Sequence, residues 1–215
     1  VYDAGQENGQ YFITMEHLEG TTLEQIVSKR GPTSAAVVAS LGLQICAGLH
    51  YAHANKIIHR DIKPANLFYT RERVVKIMDF GLAKMIEEVR KGATMIGGTP
   101  YYMAPEQALG QNVDHRADLY ACGVLLYELL SGARPFRGSP DIVMYKTLHL
   151  PVAPLAEPGS PSFAALAGFE HVVQRALAKS PGDRYSSALE MREALTLAAG
   201  RAIPNALSAQ AMQRS

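Results

Sequence analysis

Residues His59-Arg60-Asp61-Ile62-Lys63-Pro64-Ala65-Asn66, followed thirteen residues later by Asp79-Phe80-Gly81, decide the reading of this chain. They supply two carboxylates, an amide and an amine at fixed spacing, the set needed to hold a hydroxyl nucleophile and magnesium around a triphosphate. Asp61 can accept or orient a hydroxyl proton, Lys63 can neutralise a transferring phosphoryl group, and Asn66 suits a metal site. Asp79 follows the apolar run Val74 to Met78, so its carboxylate falls at a strand end, where a hard oxygen ligand for magnesium fits. Taken singly, an Asp with a later Asn is an ordinary loop-capping pair, and Asp-Phe-Gly is a turn with a buried phenylalanine. The order and spacing of the two motifs together favour phosphoryl transfer.

The rest of the chain sets the frame. Its 215 residues are 47% apolar and 19% charged, enough for a substantial core without a disulfide framework. Lys plus Arg and Asp plus Glu nearly cancel, to a net charge of +1, so no global field points to nucleic acid or an anionic membrane. Cys46 and Cys122 sit inside apolar helical patterns and read as buried, reduced thiols. The run from Ala121 to Leu130 is about half a membrane span and is broken by Glu128, and no signal peptide precedes the first motif. No membrane contact is expected within this chain. The expected compartment is the cytoplasm, either for a free protein or for the cytoplasmic domain of a longer, membrane-anchored one. Strand-like sequence directly after Val1 reads as the start of a fragment.

Val1 to Ala4 and Tyr11 to Met15 flank Gln6 to Gln10, where Asn8-Gly9 predicts a β-hairpin. Glu19-Gly20 should break the strand, and Thr21 with Glu24 makes a capping box for a short helix to about Lys29. Thr33 or Ser34 can cap a longer helix to about Ala54, with Val37, Val38, Leu41, Ile45, Leu49 and Ala52 on its core face. The glycine- and threonine-rich stretch from Gly81 to Pro100 reads as mobile. Helical patterns follow from Arg116 to Gly132, Asp141 to Leu148, Phe163 to Ala178 and Ser187 to Leu197, with a proline-rich connection from Pro151 to Pro161. His17 and His115 read as surface residues.

The two motifs resemble the catalytic loop and metal-binding triplet of eukaryotic-like serine/threonine protein kinases. The resemblance continues through Gly98-Thr99-Pro100-Tyr101-Tyr102-Met103-Ala104-Pro105-Glu106, which looks like the end of that family's activation segment. Asp114 to Gly132 resembles its central buried helix, and the resemblance gives Asp118, like His59 and Phe80, a structural role. Arg184 matches the arginine that pairs with the glutamate of Ala-Pro-Glu, here Glu106. The resemblance implies an α+β, protein-kinase-like fold: mainly the helical C-lobe, with a hinge and a remnant hairpin of the N-lobe. A partial kinase domain would occupy residues 1–198, with 1–16 from the small lobe and 17–198 as hinge and large lobe, and 199–215 would be a flexible tail.

The same resemblance implies roles: Asp61 as catalytic base, Lys63 as phosphate contact, Asn66 and Asp79 as magnesium ligands, and Thr99 orienting Asp61 and Lys63. Met15 would guard the back of an adenine pocket, backbone groups of Glu16 and Leu18 would bond the adenine edge, and Phe68 would pack beneath it. Any one apolar residue here is as readily explained as ordinary core. Arg60 would sense a phosphate on the activation segment, and Thr94 is the expected phosphosite. ATP with Mg2+, replaceable by Mn2+, is the implied cofactor set. The implied partners are a protein substrate with a serine or threonine acceptor and, for autophosphorylation, a second kinase domain. Lys63 points to the serine/threonine class; Lys84, the basic activation segment and the proline-rich connection resemble bacterial members.

The chain departs from the family where the glycine-rich loop, the strand lysine and the helix glutamate should precede the hairpin. Gly97-Gly98 lies in the activation segment and does not replace that loop. Loss of the phosphate cradle should impair nucleotide affinity and rate. Two other readings stand beside an active kinase: a catalytically silent scaffold that docks partners through the helical body, and a small-molecule phosphotransferase. The Gly-Thr-Pro to Ala-Pro-Glu segment argues against the latter.

Overall fold

The computed structural model describes residues 2–7, 10–80, 100–157, 159 and 163–212. Val1, Asn8, Gly9 and residues 81–99, which include Lys84, Thr94, Gly97, Gly98 and Thr99, lie outside the described residues.

Strands β1 (Asp3–Glu7) and β2 (Gln10–Thr14) pair antiparallel from Asp3↔Thr14 to Glu7↔Gln10. They run further towards the turn than the sequence implied. Pairing Glu7 with Gln10 leaves a two-residue connection, the length for which Asn-Gly is suited. Gly20 opens a strand rather than breaking one: β3 (Gly20–Thr22) pairs with β4 (Leu67–Thr70), which pairs with β5 (Val75–Ile77), all antiparallel. A Cβ on Gly20 would lie 2.2 Å from the Tyr69 carbonyl oxygen, so only glycine lets the backbone come this close.

Helix α1 (Leu23–Arg30) is capped by Thr22, whose side-chain oxygen accepts from the Gln25 N–H, not by Thr21. Thr21 is still in β3, and its hydroxyl bonds the Gln25 side chain instead. Helix α2 (Ala35–Ala54) follows Ser34 and buries Val38, Leu41, Ile45, Leu49 and Ala52. Val37 departs from that face and is 49% exposed, because a 100° step per residue carries it to the flank. Among the described residues α2 is the one helix long and apolar enough to cross a membrane, a longer candidate than Ala121 to Leu130. Its buried face is part of the protein core.

A short helix α3 (Pro105–Ala108) precedes α4 (Arg116–Ser131), in which every residue from Ala117 to Tyr127 is buried. Such a helix has no solvent face and must sit at the centre of the domain. The body is completed by α5 (Pro140–His149), α6 (Phe163–Ala176) and α7 (Ala188–Met212), with α7 against both α2 and α6. Helix α7 runs past Leu197 and Gly200 to Met212, where the sequence predicted a tail. One glycine in a helix costs about 1 kcal/mol, too little to end a long one. His115 is half-buried, not a surface residue: its Nε2 lies 2.8 Å from the Ser186 carbonyl and its ring 5.2 Å from that of His53. The α+β class is confirmed.

Candidate active site

Helix α2 ends at Ala54, and the chain passes through a left-handed turn at Lys56 into the loop that carries Asp61. Arg60 has a φ of 66°, a backbone conformation unfavourable for a residue with a Cβ. Asp118, in the first turn of α4, holds it: one carboxylate oxygen accepts from the Arg60 N–H at 2.7 Å and the other from the His59 N–H at 2.9 Å. Gln107 Nε2 donates to the Arg60 carbonyl at 2.9 Å. The strained residue is therefore fixed on both sides of its peptide unit.

His59 joins this loop to the strand that delivers Asp79. Its Nδ1 accepts from the Asp61 N–H at 3.2 Å, so its proton sits on Nε2, which donates to the Met78 carbonyl at 2.7 Å. The Phe80 ring meets the His59 ring edge-on at 4.8 Å and is itself 38% exposed. The Met78 N–H donates to the Asn66 carbonyl at 2.8 Å, which brings Asn66 and Asp79 to neighbouring backbone positions. Asp79 has a φ of 62° and an exposed side chain.

Asp61 Oδ2 accepts from Lys63 Nζ at 2.7 Å and from Asn66 Nδ2 at 3.0 Å. The same Asn66 nitrogen donates to the Asp61 carbonyl at 2.8 Å. Asn66 is buried whereas Asp61 is exposed, so a rigid amide holds an accessible carboxylate. With its nitrogen committed, the donor left to Asn66 is Oδ1, a hard oxygen like those of Asp79. Two such oxygens suit Mg2+, which keeps waters and substrate phosphates in its shell rather than demanding an all-protein cage. Among the described residues no group of three His, Cys, Asp or Glu side chains forms such a cage.

The residues assigned to adenine are less enclosed. Met15, directly after β2, is 56% exposed. Leu18 and Phe68 are half-buried, and Phe68 lies in β4 opposite Thr22 and Lys76. The Glu16 carboxylate receives Lys76 Nζ at 2.8 Å on both oxygens, tying the segment after β2 to β5. Thr94 and Thr99 lie outside the described residues. Just beyond them, burial and a hydrogen bond to Glu128 push the Tyr102 hydroxyl well above its usual range.

Glu106 and Arg184 form a bidentate pair, both bonds 2.7 Å, with side chains 4% and 0% exposed. Arg184 also donates to the carbonyls of Ala178, Arg116 and Lys179. This clamp joins α3 to the segment before α7. A surface cavity of about 320 Å³ next to it is lined by Pro105, Leu109, Leu148 and Lys179, and by none of the residues around Asp61.

The sequence motifs did not indicate three supports of the site: Gln107 and His53, whose Nε2 lies 2.9 Å from Asp118, at the loop, and Lys76, which holds Glu16 after β2. Gln107 directly follows the Ala-Pro-Glu triplet, and that adjacency was the available signal. The other two have partners 60 and 65 residues away in the chain, beyond any local pattern.

Comparison with known proteins matches residues 1–195 to the family "Protein kinase domain". Serine/threonine-protein kinase Pkn1 of Myxococcus xanthus is 42% identical over 204 residues, covering 92% of this chain and 29% of the relative. Serine/threonine-protein kinase PknB of Mycobacterium tuberculosis is 40% identical over 200 residues, 89% of this chain and 32% of the relative. Serine/threonine-protein kinase pkn3 of Myxococcus xanthus is 40% identical over 199 residues, 87% and 36%. The chain thus spans about a third of the length of these curated relatives. With its loop, strand end and buried clamp arranged as described, this chain belongs to the protein kinase family, among the bacterial, eukaryotic-like serine/threonine kinases.

Proposed function

We propose that this chain is the larger part of a domain that transfers the γ-phosphoryl group of ATP to serine or threonine hydroxyls of a protein substrate. The observation that carries the proposal is the Asp61 carboxylate, exposed yet held by Lys63 and Asn66. Asp61 takes or orients the proton of the acceptor hydroxyl. Lys63, 2.7 Å from it, is placed to shift towards the phosphoryl group as negative charge builds there. Asn66 and Asp79 would hold Mg2+, which Mn2+ can replace, and the ion would neutralise charge on the phosphates.

Met15, Glu16, Leu18 and Phe68 would form the floor and edge of the adenine site, completed by the small lobe of which residues 1–16 are a part; residues 17–198 are the hinge and large lobe. Arg60 would receive a phosphate on Thr94, and Thr99 would steady Asp61 and Lys63. A second kinase domain would supply that phosphate, and the reaction takes place in the cytoplasm. Without a phosphate cradle the isolated chain should work poorly.

The test is transfer from labelled ATP to a generic protein substrate, with the full-length protein and its Asp61→Asn variant. Incorporation should fall by about 10² to 10⁴ in the variant. Equal incorporation by both would leave the scaffold reading in its place.

A further inference from the structure

Gln107 lies in the short helix α3, half-buried, with both ends of its side-chain amide engaged. Its Nε2 donates to the Arg60 carbonyl at 2.9 Å, and its Oε1 accepts from the Ala104 N–H at 3.1 Å. A carbonyl only accepts and a backbone N–H only donates, so the amide has one orientation. The bond to Ala104 is half of a capping box, in which a glutamine or glutamate in the first turn satisfies the N–H of the residue before the helix. That task needs the oxygen alone. A glutamate would do it as well, and its charge would suit the helix N-terminus. The nitrogen is what capping leaves unexplained.

That nitrogen reaches the peptide unit between Arg60 and Asp61. Gln107 holds the carbonyl of this unit, and its N–H, that of Asp61, donates to His59 Nδ1 at 3.2 Å. The Asp61 side chain leaves the backbone where this plane ends, so a turn of the plane re-aims the carboxylate. Arg60, with a φ of 66°, is in a conformation from which a residue with a Cβ tends to relax, and relaxation would turn the plane. Asp118 acts one unit earlier, on the Arg60 N–H, and does not hold the carbonyl. Gln107 also has a firm base, because the adjacent Glu106 is buried and doubly bonded to Arg184.

We propose that Gln107 is a positioning residue for phosphoryl transfer: its one amide ties the start of α3 to the peptide unit before Asp61 and so sets the direction of the Asp61 carboxylate. The inference rests on the kinase reading for its consequence, but its structural half can be measured without turnover.

The experiment compares Gln107→Glu and Gln107→Met in the full-length protein. Glutamate keeps the cap on Ala104 and loses the donor to Arg60, whereas methionine keeps the bulk and loses both. Amide hydrogen exchange at Asp61 and Arg60, thermal melting, and kcat and KM for ATP are read in each. Exchange at Asp61 should quicken about tenfold in both variants, while exchange at Arg60, held by Asp118, stays within about threefold. In both, kcat should fall about tenfold with KM within about twofold, although Gln107→Glu melts with the parent. Parent-like exchange and kcat in Gln107→Glu would show that the residue only caps α3, and would overturn the proposal. Equal quickening at Asp61 and Arg60, a general loosening of the loop, would overturn it too, as would a loss of kcat confined to the charged variant. Should Gln107→Met not fold, the contrast between Asp61 and Arg60 exchange in Gln107→Glu decides. If the parent transfers no phosphate, the kinase reading falls and the exchange rates alone judge the role of Gln107.

Discussion

Arg184 carries its charge with no exposed side-chain surface, and five hydrogen bonds to Glu106 and three backbone carbonyls satisfy it. Removing it strands the Glu106 carboxylate in the core, so Arg184→Ala should lose about 3–5 kcal/mol of stability in a denaturant titration. A midpoint unchanged from the parent would show that the pair contributes little. Lys179 next to this clamp behaves differently. Burial first, and the Arg184 charge second, push its ammonium down to about 8. The unfolded chain keeps that proton to a higher pH, so the charged form opposes folding below pH 8 and the penalty fades as pH rises. Between about pH 7.5 and about pH 9.5 the parent should gain roughly 1 kcal/mol over Lys179→Met, a figure reduced because the site is half-exposed. Parallel stability curves for the two proteins would contradict this. Asp61, Lys63, Asn66 and Asp79 were legible as residue types at set spacings. The partnership of Glu106 with Arg184, 78 residues apart, was legible only through the family resemblance.

Two glycines show how helices in this molecule differ. Gly123 lies in α4, where an added Cβ would come 2.8 Å from the Ala176 Cβ of α6 and 3.2 Å from Leu177. Gly200 lies in α7, where an added Cβ meets nothing within 4 Å. The helical preference of alanine, about 1 kcal/mol, should therefore raise stability in Gly200→Ala, while in Gly123→Ala overpacking of about 1–3 kcal/mol outweighs it. Thermal melts of the two variants should move in opposite directions, and a loss in Gly200→Ala would mean that α7 is not helical there. Helix positions were readable because apolar residues recur at three- and four-residue steps. The cap of α1 was misread by one residue because Thr21 and Thr22 are chemically equal as caps, and the choice between them depends on β3 pairing with β4. The same pairing overrode the breaking tendency of Gly20. Its partners, Tyr69 and Thr70, are some fifty residues further along the chain.

Across the described residues, burial is unevenly distributed. Helix α4 is enclosed by the helical body, while β1 and β2 form a separate two-stranded sheet with Tyr2 77%, Tyr11 85% and Met15 56% exposed. A lone hairpin is marginal in water. Amides of Asp3 to Glu7 and Gln10 to Thr14 should exchange with almost no protection, those of Leu119 to Leu126 only through global unfolding, and hairpin protection should rise in the full-length protein. Protection of the hairpin equal to that of α4 in the isolated chain would disprove this. The sequence by itself determined the family, the chemical groups of the site and most helices, because spacing along the chain encodes local geometry and the kinase motifs are local. Tertiary structure alone decided which threonine caps α1, that α7 passes Gly200, that Val37 and Met15 face outwards, and that His53 and Lys76 brace the site. Each of these depends on which distant surface a residue meets, and that is settled only when the layers pack around α4.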